Sequence, residues 1–309
     1  MSAVAFQSLR YRAPKYHSGI ALIVVLWMLA LLTIIIGSFA VLARTESLQS
    51  RFLFDTTAAR YAAEAGLHRA VVELRNPDLM TRWVADGRPY QFEFTGAEVE
   101  VRMTDESGLL DINAAPQSMP EMMINLLVTQ GLDLQQAEQL TDAMADWVDP
   151  DDQVRINGAE QREYESAGYP YGPANAPFTS IDELQQVIGM SWPLFKRIED
   201  SITIHSGRSM VNPAFAPASV LAALPEMDMQ SANLFIEERS QYHPSDEVPL
   251  QLPDGTPVNQ RGGGLTHTIK VKATLDSGTW TEILATIRLG TDQRGRPFRI
   301  VRWIENVTD

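Results

Sequence analysis

Seven carboxylates fall between Asp142 and Glu163: Asp142, Asp146, Asp149, Asp151, Asp152, Glu160 and Glu163. The first three are spaced at i, i+4 and i+7, one face of a helix that Pro150 closes. Carboxylates stacked at a helix C-terminus repel one another and oppose the negative end of the macrodipole, each by a few tenths to about 1 kcal/mol. Something positive should therefore lie beside them. The chain has no cysteine, and no histidine stands between His68 and His205. That inventory suits an all-oxygen site for a hard cation, and Ca2+ accepts roughly 6–8 oxygens from flexible loops. Other readings fit the spacing as well. Gln153 and Arg155 occupy positions where an EF-hand loop needs carboxylate or glycine. Ion pairing to Arg155 or Arg162, or a solvated acidic loop, satisfies the same residues.

Catalytic signatures are weaker. The histidines at 17, 68, 205, 243 and 267 are scattered, and neither G-x-S-x-G nor H-E-x-x-H occurs. Arg261-Gly-Gly-Gly264 follows Pro253-Asp-Gly-Thr-Pro257 and reads as a flexible loop, since neither Lys-Ser/Thr nor a helix comes after it. The chain reads as a non-enzyme. Net charge is −14, and the only basic cluster lies before residue 19, so no basic stripe is available for nucleic acid.

The elements that position the acids belong to a chain built from one long helix. Residues 20–43, IALIVVLWMLALLTIIIGSFAVLA, carry no charge, and at about 1.5 Å per residue they make roughly 36 Å of helix, enough to span a hydrocarbon core of about 30 Å. Arg10, Arg12, Lys15 and His17 precede the span without an acid, which puts residues 1–19 in the cytoplasm and the remainder outside. The apolar run is longer than a signal-peptide core, and Arg44-Thr45-Glu46 continues the helix where cleavage would need a small-residue break. Beyond the span Leu48, Phe52, Ala59, Ala63, Gly66, Leu67, Ala70, Val71 and Leu74 recur every three or four residues until Asn76-Pro77. This amphipathic half needs a surface to lie on.

Alternating segments supply that surface: Tyr90–Phe94, Glu98–Met103, His267–Leu275, Trp280–Leu289 and Pro297–Ile304. From Pro116 to about Ser240 the pattern is helical. It includes a near-repeat, Asp111-Ile-Asn-Ala-Ala-Pro116 and Val211-Asn-Pro-Ala-Phe-Ala-Pro217, and a third unit from Phe178 to Gly189 with Thr179 or Ser180 as cap. These units look like helix-hairpin-helix modules, but the glycine-rich hairpins that grip phosphates are absent. The expected fold is α+β: the long helix on a small antiparallel sheet, with a large all-helical domain inserted between the second and third strands. The boundaries are 1–19 leader, 20–43 span, 44–110 with 262–309 as the sheet domain, and 111–261 as the insertion.

Several motifs occur together and in order: Ser18-Gly19 against the apolar helix, Asp105-Glu-Ser-Gly-Leu-Leu-Asp-Ile-Asn113, Asp146-Trp-Val-Asp-Pro-Asp-Asp152, Asn157-Gly-Ala-Glu160, Tyr169-Pro-Tyr-Gly-Pro-Ala-Asn-Ala-Pro177 and Ile181-Asp-Glu-Leu184. Jointly they resemble the minor pseudopilin K family of type II secretion systems. The resemblance implies a pilin-like fold and cleavage after Gly19 by the prepilin peptidase, exposing Ile20. It also implies a single-pass inner-membrane subunit of a Gram-negative bacterium with its C-terminal domain in the periplasm. Its partners would be pseudopilins I and J, then H and the major pseudopilin G, together with the inner-membrane secretion platform, and its place the tip of the pseudopilus. Ca2+ is implied at acids matching Asp146, Asp149, Asp151, Asp152, Glu160 and Glu163. Gln161 and Arg162 stand where family members often carry a further acid. Val24 occupies the fifth mature position, where most pilin-like subunits have Glu, and a subunit with nothing ahead of it in the membrane can lack that acid. The rival expectation is a membrane-anchored periplasmic binding module without processing, followed by a metal-dependent enzyme.

Overall fold

The computed structural model describes residues 18–243, 245–260, 262–291 and 295–306; the basic leader through His17 lies outside them. Two compact units make up the chain, Met1–Asp55 and Thr56–Asp309. Helix α1 runs from Ser18 to Leu74. In the first unit its apolar side chains are bare, with Trp27 74 % and Phe39 71 % exposed. The Thr33 and Ser38 hydroxyls donate to the carbonyls of Ala30 and Ile34, which satisfies polar atoms where hydrocarbon offers no water. With a mean hydropathy of 3.0 in its apolar stretch, α1 is the one helix among the described residues long and apolar enough to cross a membrane.

In the second unit, α1 ends where Asn76-Pro77 breaks it, and five strands form an antiparallel sheet. They are β1 (Asp86–Phe94), β2 (Ala97–Asp105), β7 (Thr266–Leu275), β8 (Trp280–Leu289) and β9 (Phe298–Glu305), in that spatial order, with the intervening elements of the chain inserted between β2 and β7. Each expected strand is present within a few residues of its reading. Thr95 and Gly96, with φ of 47° and 79°, make the two-residue turn between β1 and β2. The alternation reads out directly in the pairing: Val101 faces Val271, and Val271 faces Ile283. Ala62, Ala63, Leu67, Ala70 and Val71 of α1 pack on this row. At Gly66 an added Cβ would sit 2.6 Å from Val271 Cγ1 and 2.8 Å from Val99 Cγ1, so the glycine lets helix and sheet touch. The apolar stripe expected from Leu48 is buried only from Ala59 onward; Leu48 and Phe52 are exposed.

Between β2 and β7 come β3 (Leu110–Asp111), α2 (Ala115–Ser118), α3 (Pro120–Thr129), α4 (Leu134–Val148), α5 (Gln161–Ser166), α6 (Trp192–Ile198), β4 (Ile202–Thr203), α7 (Ala218–Leu221), α8 (Met229–Gln241), β5 (Leu250–Gln251) and β6 (Pro257–Val258). They enclose a core of their own around Met123, Leu126, Leu140, Met144, Tyr164, Leu184 and Phe195. Each such side chain contributes roughly 1.5–3 kcal/mol on burial. Two expectations are corrected here. The insertion is not all helical: β3 pairs with β4 in parallel, and β5 with β6 antiparallel, which satisfies backbone groups where the chain leaves and re-enters its core. The unit from Phe178 to Gly189 is a 3₁₀ helix, Ile181–Gln186, capped by Ser180; only Leu184 of it is buried, too narrow an apolar face for a full α-helix.

Two polar joints tie the insertion to the sheet. At the first, Asp105 Oδ1 accepts from Ser107 N at 2.9 Å and Oδ2 from Gly264 N at 2.7 Å. Glu106, 4 % exposed, accepts hydroxyl bonds from Thr203 and Thr268. The second joins α8 to β1 through Arg239 and Asp86.

Candidate functional site

Helix α4 carries the first acids. It begins in a capping box between Asp133 and Gln136 and ends with Asp149 as C-cap. Asp142, Asp146 and Asp149 face the chain that follows, as their spacing predicts. Asn157 N donates to Asp142 Oδ2 at 3.1 Å, and Arg155 N to Asp146 Oδ2 at 3.2 Å. Gly158 presses on the same carboxylate so closely that a Cβ there would lie 1.9 Å from Asp146 Oδ2.

Asp146 is fully buried and Glu160 5 % exposed. Arg155 spans the acids, with Nε 3.1 Å from Asp146 Oδ1 and Nη2 3.3 Å from Asp149 Oδ2. One guanidinium does not satisfy them. Asp146 Oδ1, Asp149 Oδ1 and both carboxylate oxygens of Glu160 are buried without a hydrogen bond, an arrangement that is costly unless a further positive group is supplied. Burial pushes the Asp146 carboxyl up to about 6; the Arg155 amide and guanidinium oppose the rise and Asp149 adds to it. Burial, then the charges of Asp146, Asp149, Asp152 and Asp151, push Glu160 up to about 7.

The remaining expected ligands each make a local hydrogen bond through one oxygen. Asp151 Oδ1 accepts from Gln153 N at 2.9 Å, Asp152 Oδ1 from Asn175 Nδ2 at 3.3 Å, and Glu163 Oε2 from Glu160 N at 3.0 Å, which closes the start of α5. Gln161 turns away to Glu165, with Nε2 to Oε1 at 2.7 Å. Among the described residues no three carboxylates or imidazoles converge on one point. The donor set nevertheless fits a hard cation: buried carboxylate oxygens lacking partners, no sulfur or nitrogen donor, and a glycine cradle against Asp146. What sequence reasoning missed is Gly158, whose signal is its place in Asn157-Gly-Ala-Glu160, and the central position of Arg155, which had stood only as one alternative.

At the other end of the chain, Gly19 lies within α1, while Ile20 and Val24 are exposed at 66 % and 52 %. No side chain in the described part of this apolar stretch carries a charge before Arg44.

Residues 105–207 match the family described as type II secretion system protein K. The chain is 29 % identical to the type II secretion system protein K of Klebsiella pneumoniae over 58 % of its own length and 60 % of that protein. To the corresponding protein of Pectobacterium carotovorum it is 27 % identical, covering 79 % of this chain and 81 % of the relative. The Pseudomonas aeruginosa protein is 24 % identical, with 92 % and 91 % covered. Among solved structures, the crystal structure of the K–I–J complex of the type 2 secretion system of enterotoxigenic Escherichia coli aligns with a TM-score of 0.56 at 18 % identity, covering 86 % of this chain and 99 % of that one. At that identity the likeness is one of fold.

Proposed function

We propose that this chain, which belongs to the type II secretion system protein K family, is a minor pseudopilin, a structural subunit and not an enzyme, that caps the tip of the periplasmic pseudopilus. The observation that carries this reading is the large excursion between β2 and β7, which has a core of its own apart from that of the helix and sheet. In a fibre of side-by-side helices such bulk blocks addition ahead of the subunit, so growth proceeds from behind. Partners on this reading are pseudopilins I and J, followed by H and the major pseudopilin G, with the prepilin peptidase and the inner-membrane platform acting on the anchor. Residues 1–19 would stay cytoplasmic and the second unit periplasmic.

Asp146 and Glu160 would hold a hard divalent cation, Ca2+ by its preference for oxygen donors, with Asp149, Asp151 and Asp152 drawing in around it as Arg155 yields part of its place. When bound, the ion supplies positive charge to buried oxygens that Arg155 leaves unmatched, and so keeps the loop from Asp149 to Glu160 against α4. Glu163 serves by capping α5.

The test is the mass of the mature N-terminus, taken from membranes of cells with and without the prepilin peptidase. A peptide starting at Ile20 only when the peptidase is present is expected. An end at Met1 or Ser2 in both would make the chain a plain anchored module and end the pseudopilin reading.

A further inference from the structure

A cavity of about 180 Å³ opens beside the end of α1, between the segment leading into β1 and the start of β7. It shares no residue with the acidic loop. Leu74, Trp83, Phe215 and Leu289 give it an apolar wall, and Arg82, Gln260 and His267 provide the polar groups. Gln260 is 3 % exposed, yet neither its Oε1 nor its Nε2 has a hydrogen-bond partner. His267 is 4 % exposed, with Nε2 3.4 Å from Asp105 Oδ2 and Nδ1 unpartnered. Arg82 is half-buried and pairs with no carboxylate among the described residues. Buried polar groups are almost always paired, so three such atoms on one cavity point to something that pairs them.

Their chemistry defines it. Both oxygens of Asp105 already accept backbone bonds, from Ser107 and Gly264. Nε2 of His267 faces that carboxylate, which leaves Nδ1 as the unpartnered nitrogen of the ring. The cavity is thus lined by two donors, the Arg82 guanidinium and Gln260 Nε2, by the acceptor Gln260 Oε1, and by the unpartnered His267 Nδ1. A planar carboxylate suits a guanidinium beside an amide N–H, and a hydroxyl hydrogen suits an acceptor. The volume is close to that of an engineered cavity of about 150 Å³ that admits benzene. We propose that this cavity binds a small hydroxycarboxylic acid, its carboxylate on Arg82 and Gln260 Nε2, its hydroxyl, donor and acceptor both, bonded to His267 Nδ1, and its short carbon frame against the apolar wall.

The experiment follows the melting temperature of the full chain in detergent against racemic lactate, propionate and chloride at equal ionic strength. Saturable stabilisation by lactate is expected, with propionate weaker by at least about tenfold in apparent affinity, since a site built to bond a hydroxyl rejects the analogue without it. Gln260→Ala and the half-exposed Arg82→Ala should each abolish the response, while the exposed Arg197→Ala keeps it. If Gln260→Ala does not fold, Arg82→Ala and the lactate-to-propionate comparison decide alone. Equal responses to lactate and chloride, or a lactate response that survives Arg82→Ala, would leave the cavity to water and overturn the proposal.

Discussion

Arg239 Nε in α8 lies 3.8 Å from Asp86 Oδ2 at the start of β1, with both side chains almost wholly buried. The same guanidinium donates through Nη1 to Pro213 O at 3.0 Å and Ala216 O at 2.8 Å. Asp86 is further held by Arg88, whose Nη2 also donates to Arg239 O at 2.9 Å. The insertion is thereby tied to the sheet by one buried cation. Removing one partner of a buried ion pair costs about 3–5 kcal/mol, and Arg88 retains part of the compensation for Asp86, so Arg239→Ala should cost about 3 kcal/mol in urea unfolding. Arg239→Lys should recover little of it, because a single ammonium does not reproduce the planar fork. A loss below about 1 kcal/mol would show that the joint is solvated once opened.

Gly66 sets the distance between helix and sheet. Gly66→Ala gains helix propensity of about 1 kcal/mol, but its Cβ meets Val271 and Val99 well inside contact distance. Overpacking of this kind costs about 1–3 kcal/mol, so net destabilisation is expected, and Gly66→Ala with Val271→Ala should be less destabilised than the sum of the two single changes. Strict additivity would mean that the sheet simply moves aside.

Asp105 governs the acid limb of stability. Burial alone would raise its carboxyl, but hydrogen bonds and charge from His267, with bonds from Ser107, hold it below the usual carboxylate range. A depressed native value stabilises the fold above the unfolded pKa, near about 3.9. That contribution disappears as pH falls through the lower native value. Asp105→Asn should therefore be less stable than the native chain at pH 6 and lose less on acidification toward pH 2. Parallel stability curves for the two proteins would exclude this role.

Chelation tests the acidic loop. A cation that binds only the folded chain adds about 2.7 kcal/mol when present at about 100 times its Kd, so EDTA should lower the melting temperature and Ca2+ restore it. Asp146→Asn and Glu160→Gln should each abolish the difference. Gly158→Ala should do likewise without removing a carboxylate, since its Cβ would displace the Asp146 oxygen. Identical melting with EDTA and with Ca2+ would assign the acids to Arg155 alone.

Val24→Glu would place an acid at the fifth position after Gly19. Membrane insertion should persist, at a cost of a few kcal/mol that pairing with a neighbouring terminal amine offsets, while the order of subunits at the tip is disturbed. Crosslinking of tip subunits reads the outcome, and unchanged secretion with unchanged tip composition would remove Val24 from any part in assembly.

What the sequence disclosed follows from period and length. The strands at Val99, Val101 and Met103 and at Ile269 and Val271 alternate long enough to be read, and the apolar run from Ile20 announces itself by length. Leu110-Asp111 and Ile202-Thr203 are two-residue strands with no period, defined only by each other. The acids of α4 were visible because helical spacing puts them on one face. That Asp151, Asp152 and Glu163 also bond Gln153, Asn175 and the start of α5 depends on turns that spacing does not encode. Gln260 and His267 carried no signal at all: each is ordinary in its own segment, and only the folded chain leaves their polar atoms facing the same cavity.

The last residue of β2 is paired in register with a residue at the start of β7, Asp105 with His267. The polypeptide thus departs and returns at one rung of the ladder. A tight hairpin joining Asp105 to His267 would therefore leave every remaining strand in register, at the cost of the Asp86–Arg239 pair and of the bonds that Asp105 and Glu106 make to the excursion.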